Sequence, residues 1–361
     1  MSFLQQTWYA AGWSSEVIAG TPVARTIINR PLLILRDSMG NPTALDDSCP
    51  HRLAPLSMGT QEGDTVRCGY HGIAFNLTGK CVENPHGPVL QSLCVRSYPV
   101  AERHRLLWIW MGDPAHADVE TIPNFDFIDK APQHGIALGY LPSKAGHRLM
   151  ADNILDLSHT DYLHADTLGG GANTRAKISV KELGEKVLVR WDAPNDIAPP
   201  IIHRMLPDPN AGYDQWTEVL WHPNGAMKLT TGLAVHEGAA LAHLNTWNAH
   251  LLTPETESTT HYFYASARAF ATDDPHVNAM MAKGLRNAFE NEDKPMLEAQ
   301  QKRLGSRDLM ELRPALLSID NGSSRARRIY DRMLAAENAS AATEAGRVFQ
   351  EGGSLTAETL N

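Results

Sequence analysis

Cys49-Pro50-His51-Arg52 and Cys68-Gly69-Tyr70-His71, with sixteen residues between His51 and Cys68, decide the reading of this chain. Each segment supplies one thiolate and one imidazole, and Pro50, Gly69 and Gly72 are turn formers that let the backbone approach a bound centre closely. From Arg25 to about Gly112, short β-branched and aromatic runs alternate with turn signals: Pro31 to Arg36, the Met39-Gly40-Asn41 turn, Ile73 to Phe75, the Thr78-Gly79 turn and Leu106 to Trp110. That alternation predicts a compact all-β unit that carries two ligand loops.

Three assignments use these ligand types. One is chance proximity. Another is a Cys2His2 zinc site, although the familiar zinc fingers put cysteine beside cysteine and histidine beside histidine, whereas here the two types interleave. The third is a Rieske centre, in which two cysteines hold one iron of a [2Fe–2S] cluster and two histidines hold the other, raising the reduction potential above that of all-cysteine clusters. Interleaving suits the third, because each loop then reaches both irons. The C-x-H and C-x2-H pair resembles the Rieske signature, and the resemblance implies Cys49 and Cys68 on one iron and His51 and His71 on the other. Tyr70 and the N–H groups around Gly69 are expected to donate to the sulfurs. Cys81 and Cys94 have no partner at ligand spacing and are expected to be small buried hydrophobes.

Composition excludes several classes. The chain has 361 residues, 43% hydrophobic and 20% charged, enough for two cores. A net charge of −9 without any block of Lys or Arg argues against nucleic-acid binding. No run approaches the length of a membrane span and the first residues lack the pattern of a secretory signal, so a soluble, cytoplasmic protein is expected. Four cysteines are too few for a disulfide scaffold, and the Asn76-Leu77-Thr78 match to a glycosylation acceptor is read as chance.

Beyond a Pro- and Asp-rich linker from about Asp113 to Asp129, Arg148 to Leu163 reads as helix. Lys186 to Trp191, Glu218 to His222, Ala226 to His236, Asn245 to Thr253 and Thr260 to Arg268 then read as successive antiparallel strands, and Asp274 to Leu304 as a long helix. The fold class is α+β: an N-terminal all-β domain over residues 1–125, a catalytic domain over 126–340, and a C-terminal tail, 341–361, expected to fray from about Ala336. Gly169-Gly170-Gly171 follows no strand and precedes no Lys-Ser or Lys-Thr, so it is read as a flexible loop over a pocket mouth and not a phosphate cradle.

A second metal constellation lies in Asp152-Asn153-Ile154-Leu155-Asp156-Leu157-Ser158-His159-Thr160-Asp161-Tyr162-Leu163-His164. Asp156 and His159 share a helix face at i, i+3, but His159 and His164 are five apart. Their convergence on one ion requires a π-bulge or a helix end. Two structural histidines on a surface helix are the plain alternative. Downstream, Leu285, Phe289, Asp293, Met296 and Leu297 follow an apolar stripe, which buries Asp293 and leaves Glu290 and Glu292 solvated. A carboxylate on a buried face needs a partner or a metal. Pro295 removes the hydrogen bond to Asn291 and is expected to bend the helix there.

These segments resemble the mononuclear-iron motif of the Rieske oxygenases. Trp8-Tyr9, Ala54-Pro55-Leu56-Ser57, Asn84-Pro85-His86-Gly87, Leu252-Thr253-Pro254-Glu255-Thr256-Glu257 and Arg313-Pro314-Ala315 are similar to the dicamba monooxygenase and vanillate O-demethylase branch over residues 3 to 330. The resemblance implies a Rieske β-domain joined to a helix-grip catalytic domain, a homotrimer, and Fe(II) held by His159, His164 and Asp293, with O2 as co-substrate. It further implies that NAD(P)H reaches the cluster through a separate ferredoxin or flavin reductase, and that the substrate is a small substituted aromatic, O- or N-dealkylated or hydroxylated. Asn153 and Asp156 are implied in the catalytic machinery, Asp156 accepting from the His159 ring and facing a neighbouring subunit's cluster. His250, and more weakly His222, are candidates for substrate contact among His222, His236, His243, His250 and His261. Asn224-Gly225-Ala226-Met227 matches that branch only loosely and residues 195–215 differ more. A ring cis-dihydroxylating dioxygenase and a non-catalytic Rieske electron carrier remain as rival readings.

Overall fold

The computed structural model describes residues 2–236 and 244–352, with side chains through residue 343. Three small antiparallel sheets build the N-terminal part. Trp8–Trp13, Leu106–Trp110 and Val100–Arg103 form one; Val23–Ile27, Arg30–Arg36, Pro42–Asp46 and Ser97–Tyr98 form the next; Thr60–Glu62, Thr65–Arg67, Ala74–Asn76 and Cys81–Glu83 form the third. The hairpin joining Val23–Ile27 to Arg30–Arg36 turns through Ile28 and Asn29, both at positive φ (46° and 64°). That conformation is costly for a β-branched residue. It is held from outside, because the Ile28 and Asn29 N–H groups donate to the carbonyls of Pro254 and Glu255 at 2.8 and 2.9 Å.

The rest of the strands make one seven-stranded antiparallel sheet, in the order Ile136–Ser143, Thr259–Arg268, Thr246–Thr256, Ala226–Val235, Tyr213–Trp221, Lys186–Asp196, Lys177–Leu183. The five expected strands are the five inner ones. The two unforeseen strands are the edges: Ile136–Ser143 contains Gly139 and Pro142, residues that weaken a strand signal and are tolerated where one side is unpaired.

Side chains alternate across this sheet with period two, and both faces are covered. Ala249, Leu251, Phe263, Ala265 and Ala267 pack with Trp8, Trp13 and Trp108 of the N-terminal domain. Tyr262, Tyr264, Val189, Trp191 and Val219 face Leu149, Ile154, Leu285 and Phe289 of the helices. Polar contacts fix the first of these interfaces: Trp13 Nε1–H donates to Gly139 O at 3.0 Å, Asn224 Nδ2 to Trp8 O at 2.8 Å, and Thr253 Oγ1 to Ala10 O at 2.7 Å.

Four helices cover the other face, His147–Leu155, Pro275–Asn287, Lys294–Leu304 and Asn321–Gly352. The last helix is tied to the first by Arg327, which reaches Asp152 at 2.6 Å and Asp308 at 2.9 Å. Past Ala336 the helix continues through Gly352, and Glu337 accepts from the N–H groups of Gln5 and Gln6 at 2.7 and 3.2 Å. A polar stretch with few large apolar residues is anchored here by capping the N-terminal strand. Residues 353–361 of the expected tail lie outside the described residues.

Candidate functional site

The two cysteine-histidine loops have the same backbone design. Cys49 N–H donates to Ala54 O at 2.9 Å and Leu53 N–H to Cys49 O at 2.8 Å; Cys68 N–H donates to Ile73 O at 2.9 Å and Gly72 N–H to Cys68 O at 3.0 Å. The fourth residue after each cysteine takes positive φ, Leu53 at 57° and Gly72 at 73°. The loops press on each other through glycine: a Cβ on Gly69 would lie 2.6 Å from Met58 O, and one on Gly59 would lie 2.0 Å from Arg67 O. Asp47 braces the first loop by accepting from the Ser57 N–H and hydroxyl, both at 2.6 Å.

This packing buries both thiols and turns both rings outward, with the His51 and His71 centroids 4.6 Å apart. Burial and the neighbouring Cys68 thiol raise the Cys49 pKa, while N–H groups of His51 and Arg52 oppose the rise. Two sulfurs inside and two imidazoles at the rim match the ligand set of a cluster bound at a surface. The N–H donors at the Cys49 sulfur come from His51 and Arg52; Tyr70 is exposed and packs its ring on that of His71 at 3.9 Å. Cys94 is exposed and Cys81 half-buried, contrary to the expectation that both are buried, because Cys81 starts the short edge strand Cys81–Glu83 of the third sheet and Cys94 only bridges to Lys80 beside it.

The second site forms where two helices are interrupted. The first ligand helix ends at Leu155, Asp156 is extended (φ −122°, ψ 102°), and a 3-10 turn, Leu157–His159, precedes the short helix Thr160–Leu163. His159 therefore sits at a turn and His164 at a helix C-terminus, the geometry that their five-residue spacing required. The long helix expected over Asp274 to Leu304 is also interrupted: Ala288–Asp293 is a π-helix between Pro275–Asn287 and Lys294–Leu304. Lys294 N–H reaches back to Phe289 O, and Pro295 has no N–H with which to restore the α pattern to Asn291.

The nitrogens of His159 and His164 and an oxygen of Asp293 lie within 4.8 Å of one another. His164 Nε2 is 3.1 Å and His159 Nε2 3.4 Å from Asp293 Oδ1, and Asn153 Nδ2 donates to that oxygen at 3.2 Å. Burial alone would raise the Asp293 pKa, but hydrogen bonds and charge from His159 and His164 bring it down to about 2. Burial works against a charged His164, and Asp293 and Glu292 overcome it, so the His164 pKa is raised. Two imidazoles and one carboxylate converging in a buried pocket fit a divalent iron with open positions.

Three sequence expectations change here. Met296 is exposed, since the π turn shifts the phase of the stripe, while Leu285, Phe289, Asp293 and Leu297 remain buried. Glu292, expected in solvent, accepts from His164 Nδ1 at 2.5 Å, whereas Glu290 pairs on the surface with Arg286. The His159 ring bonds the backbone carbonyl of Asp156 at 2.6 Å, not its carboxylate; the extended conformation of Asp156 turns that carbonyl toward the ring, and its Oδ1 caps Ser158 N–H at 2.9 Å.

A cavity opens beside the triad, lined by Asn153, His159, His164 and Asp293 from the helices and by alternate sheet residues. Cross-strand register gives those rows: Leu229, Asn248 and Ser266 in one, Trp191, Thr217, Thr231 and Thr246 in the next. Among the described residues the lining carries no Lys or Arg. His250 belongs to this wall. Its Nδ1 pairs with the Tyr262 hydroxyl at 2.7 Å, its Nε2 has no partner among the described residues, and burial lowers its pKa to about 4.

His222 is buried in the turn between Tyr213–Trp221 and Ala226–Val235 and does not line the cavity. His261 faces the N-terminal domain, bonding Tyr140 and Thr26 O, and His236 pairs with Asp214. His243 lies outside the described residues. The Gly169-Gly170-Gly171 loop does border the cavity but is pinned: Asp161 accepts from Gly171 and Thr174 N–H at 2.8 and 2.6 Å, and Gly169 N–H donates to His164 O at 2.9 Å.

Residues 7–99 match the Rieske [2Fe-2S] domain and residues 143–336 match the vanillate O-demethylase oxygenase C-terminal domain. This chain belongs to the Rieske non-haem iron oxygenases. The iron-sulfur subunit of a toluene-4-sulfonate monooxygenase system from Comamonas testosteroni is 36% identical, covering 93% of this chain and 98% of that one. The oxygenase component of a chloroacetanilide N-alkylformylase from Rhizorhabdus wittichii is 34% identical over 93% of this chain and 97% of its own. The crystal structure of dicamba monooxygenase with non-haem iron and dicamba superposes with a TM-score of 0.79 at 32% identity, covering 94% of this chain and 99% of that chain. This Rieske oxygenase is thus an oxidoreductase, the oxygenase component of a non-haem iron monooxygenase of the demethylase type. Its cofactors are a [2Fe–2S] cluster and a mononuclear iron, with O2 as oxidant, and its electrons come from a separate transfer partner. No helix among the described residues is long and apolar enough to cross a membrane.

Proposed function

We propose that this oxygenase removes an alkyl group from, or hydroxylates, the side group of a small substituted aromatic compound. The observation that carries the reading is that the His159, His164 and Asp293 cluster opens directly onto a largely apolar cavity walled by the sheet. The two rival readings are not favoured: an electron carrier has no use for this second site, and the relatives are dealkylating and monooxygenating systems.

In this reading Cys49 and Cys68 hold one cluster iron, His51 and His71 the other, and His159, His164 and Asp293 hold the mononuclear iron. The bound iron supplies activated oxygen. Asn153 positions Asp293 through its amide, and the pinned Gly169 to Gly171 loop limits access of water. His250 is neutral at neutral pH, its pKa being about 4. With the Tyr262 hydroxyl donating to Nδ1, its Nε2–H is left as a donor to an acceptor on the substrate. If the oxidised carbon is an O- or N-methyl carbon, the hydroxylated product collapses to phenol or amine and formaldehyde.

Electrons are proposed to arrive through a ferredoxin or flavin reductase using NAD(P)H in the cytoplasm, and to cross between subunits of a homotrimer. Asp156 supports that route, since its Oδ1 is used as a cap and no hydrogen bond to Oδ2 exists among the described residues. The deciding experiment supplies a surrogate reductase, NADH and a panel of methoxybenzoates, N-alkyl anilides and arenesulfonates, and measures aldehyde and product. A cis-dihydrodiol with no aldehyde or side-chain alcohol from any substrate refutes the dealkylating reading.

A further inference from the structure

Glu292 is the one acidic group at the iron site that its place in the sequence did not point to. Its Oε2 lies 2.5 Å from His164 Nδ1, and its Oε1 accepts from Asn287 Nδ2 at 2.8 Å. The ring of His164 is 1% exposed and has no other acceptor at Nδ1 among the described residues. Asp293, the next residue, stands 3.1 Å from the opposite nitrogen, Nε2. Successive residues on a helix diverge by about 100°, so two neighbours can address one ring only from two edges. The π-helix Ala288–Asp293 produces that arrangement by rotating the chain just ahead of Lys294.

The two imidazoles are therefore supported differently. His159 Nδ1 is backed by the neutral carbonyl of Asp156 at 2.6 Å, whereas His164 Nδ1 is backed by a carboxylate that is itself held by an amide. A carboxylate behind a ligating imidazole fixes the tautomer and ring orientation and strengthens the donor nitrogen.

We propose that Glu292 is a positioning residue of the iron site, keeping the His164 proton on Nδ1 and its Nε2 lone pair aimed at the metal, with Asn287 holding Glu292 in turn. The proposal rests on the assignment of His159, His164 and Asp293 as iron ligands. Removal of such a partner lowers metal affinity about 10- to 100-fold.

The test uses the full-length enzyme with its cluster loaded, and follows loss of mononuclear iron to a chelator in wild type, Glu292→Ala, Glu292→Gln, Asn287→Ala and Asp293→Ala. The cluster's visible spectrum reports folding, and electron paramagnetic resonance of the nitric oxide adduct of the mononuclear iron reports ligand symmetry. Glu292→Ala is expected to bind iron about 10- to 100-fold more weakly and to change the nitrosyl signal, with the cluster spectrum intact. Glu292→Gln, whose amide oxygen still accepts from Nδ1, is expected to recover most of the affinity. Wild-type retention and an unchanged signal in Glu292→Ala, with Asp293→Ala emptied, overturn the positioning role and leave the triad standing. Iron retained in Asp293→Ala overturns the triad itself. Should Glu292→Ala fail to fold, Asn287→Ala decides: it is expected to weaken iron binding in the same direction, and unaltered affinity and signal count against the proposal.

Discussion

Replacing Arg327 by Met tests whether the ligand helix is held by a buried ion pair or by packing alone. The guanidinium makes contacts of 3.0, 2.9 and 2.6 Å to Asp152 and of 3.1 and 2.9 Å to Asp308, and only 6% of its side chain is exposed. Burial opposes its charge, yet the two carboxylates outweigh that effect and raise its pKa. Asp308 keeps Arg148 at 3.5 Å when Arg327 is lost, so the penalty falls on Asp152, which has no other ion-pair partner among the described residues. Removing one member of a buried pair costs about 3–5 kcal/mol. In a chain of 361 residues each kcal/mol lowers the melting midpoint by about 1.3 °C, so a fall of about 4–7 °C is expected. Asp152 adjoins Asn153, which holds Asp293, so mononuclear iron should also be lost more readily. Calorimetry of the holoenzyme and metal analysis measure both. The double variant Asp152→Asn with Arg327→Met leaves no unpaired charge and should regain most of the midpoint. A single variant melting within 2 °C of wild type, or a double variant no better than the single, refutes the argument.

Gly69→Ala should abolish or strongly reduce cluster incorporation, because the new Cβ would sit 2.6 Å from a backbone oxygen that cannot yield without separating the two loops; visible absorbance per chain checks it. His147 and His222 have pKa values near 3 through burial, so the unfolded chain binds more protons than the folded one between about pH 3 and 6.5. Stability is then full above pH 6.5 and falls as pH drops, by up to about 1.4 kcal/mol per unit for each ring, and His147→Phe should flatten that slope in urea titrations across this range. His250→Phe should weaken binding of substrates that carry a hydrogen-bond acceptor while leaving both metal sites filled, which substrate titration with metal analysis distinguishes from general damage. Asp156→Asn keeps the cap on Ser158 but removes a charge, so occupancy of both metal sites should persist while oxidation of the reduced cluster by substrate and O2 slows; wild-type rates count against the bridging role.

The sequence was most legible where chemistry and spacing constrain each other. Interleaved Cys and His at turn residues point to a two-iron cluster before any fold is known, and five inner strands of the large sheet are visible from their patterning. The edge strands were not, since Gly139 and Pro142 interrupt one and Lys177–Leu183 is half exposed. For the described histidines His222, His236, His250 and His261, period two alone cannot say which face is the cavity, because both faces are buried. Only the register that pairs His250 with Met227 and Tyr264 places it on the cavity side, and leaves His222 in a turn. The N-terminal clamp by Glu337 spans 332 residues and leaves no local trace.

The same limit explains Glu292. Reading residues 285 to 297 at a constant helical period puts Asp293 inside, which is correct, and Glu292 outside, which is not. Both outcomes follow from one fact. Periodicity before the π turn is anchored by Leu285 and Phe289 and periodicity after it by Leu297, so a single frame fits both ends while missing the rotation between them. The break at Asp156 plays the same part on the facing helix, turning its carbonyl onto His159 instead of continuing the ladder. A regular helix cannot bring residues five apart, or two consecutive carboxylates, to one imidazole pair. Each irregularity gives up regular backbone hydrogen bonds and in return aims a ligand or its support, which is why the departures from regular pattern coincide with the iron site.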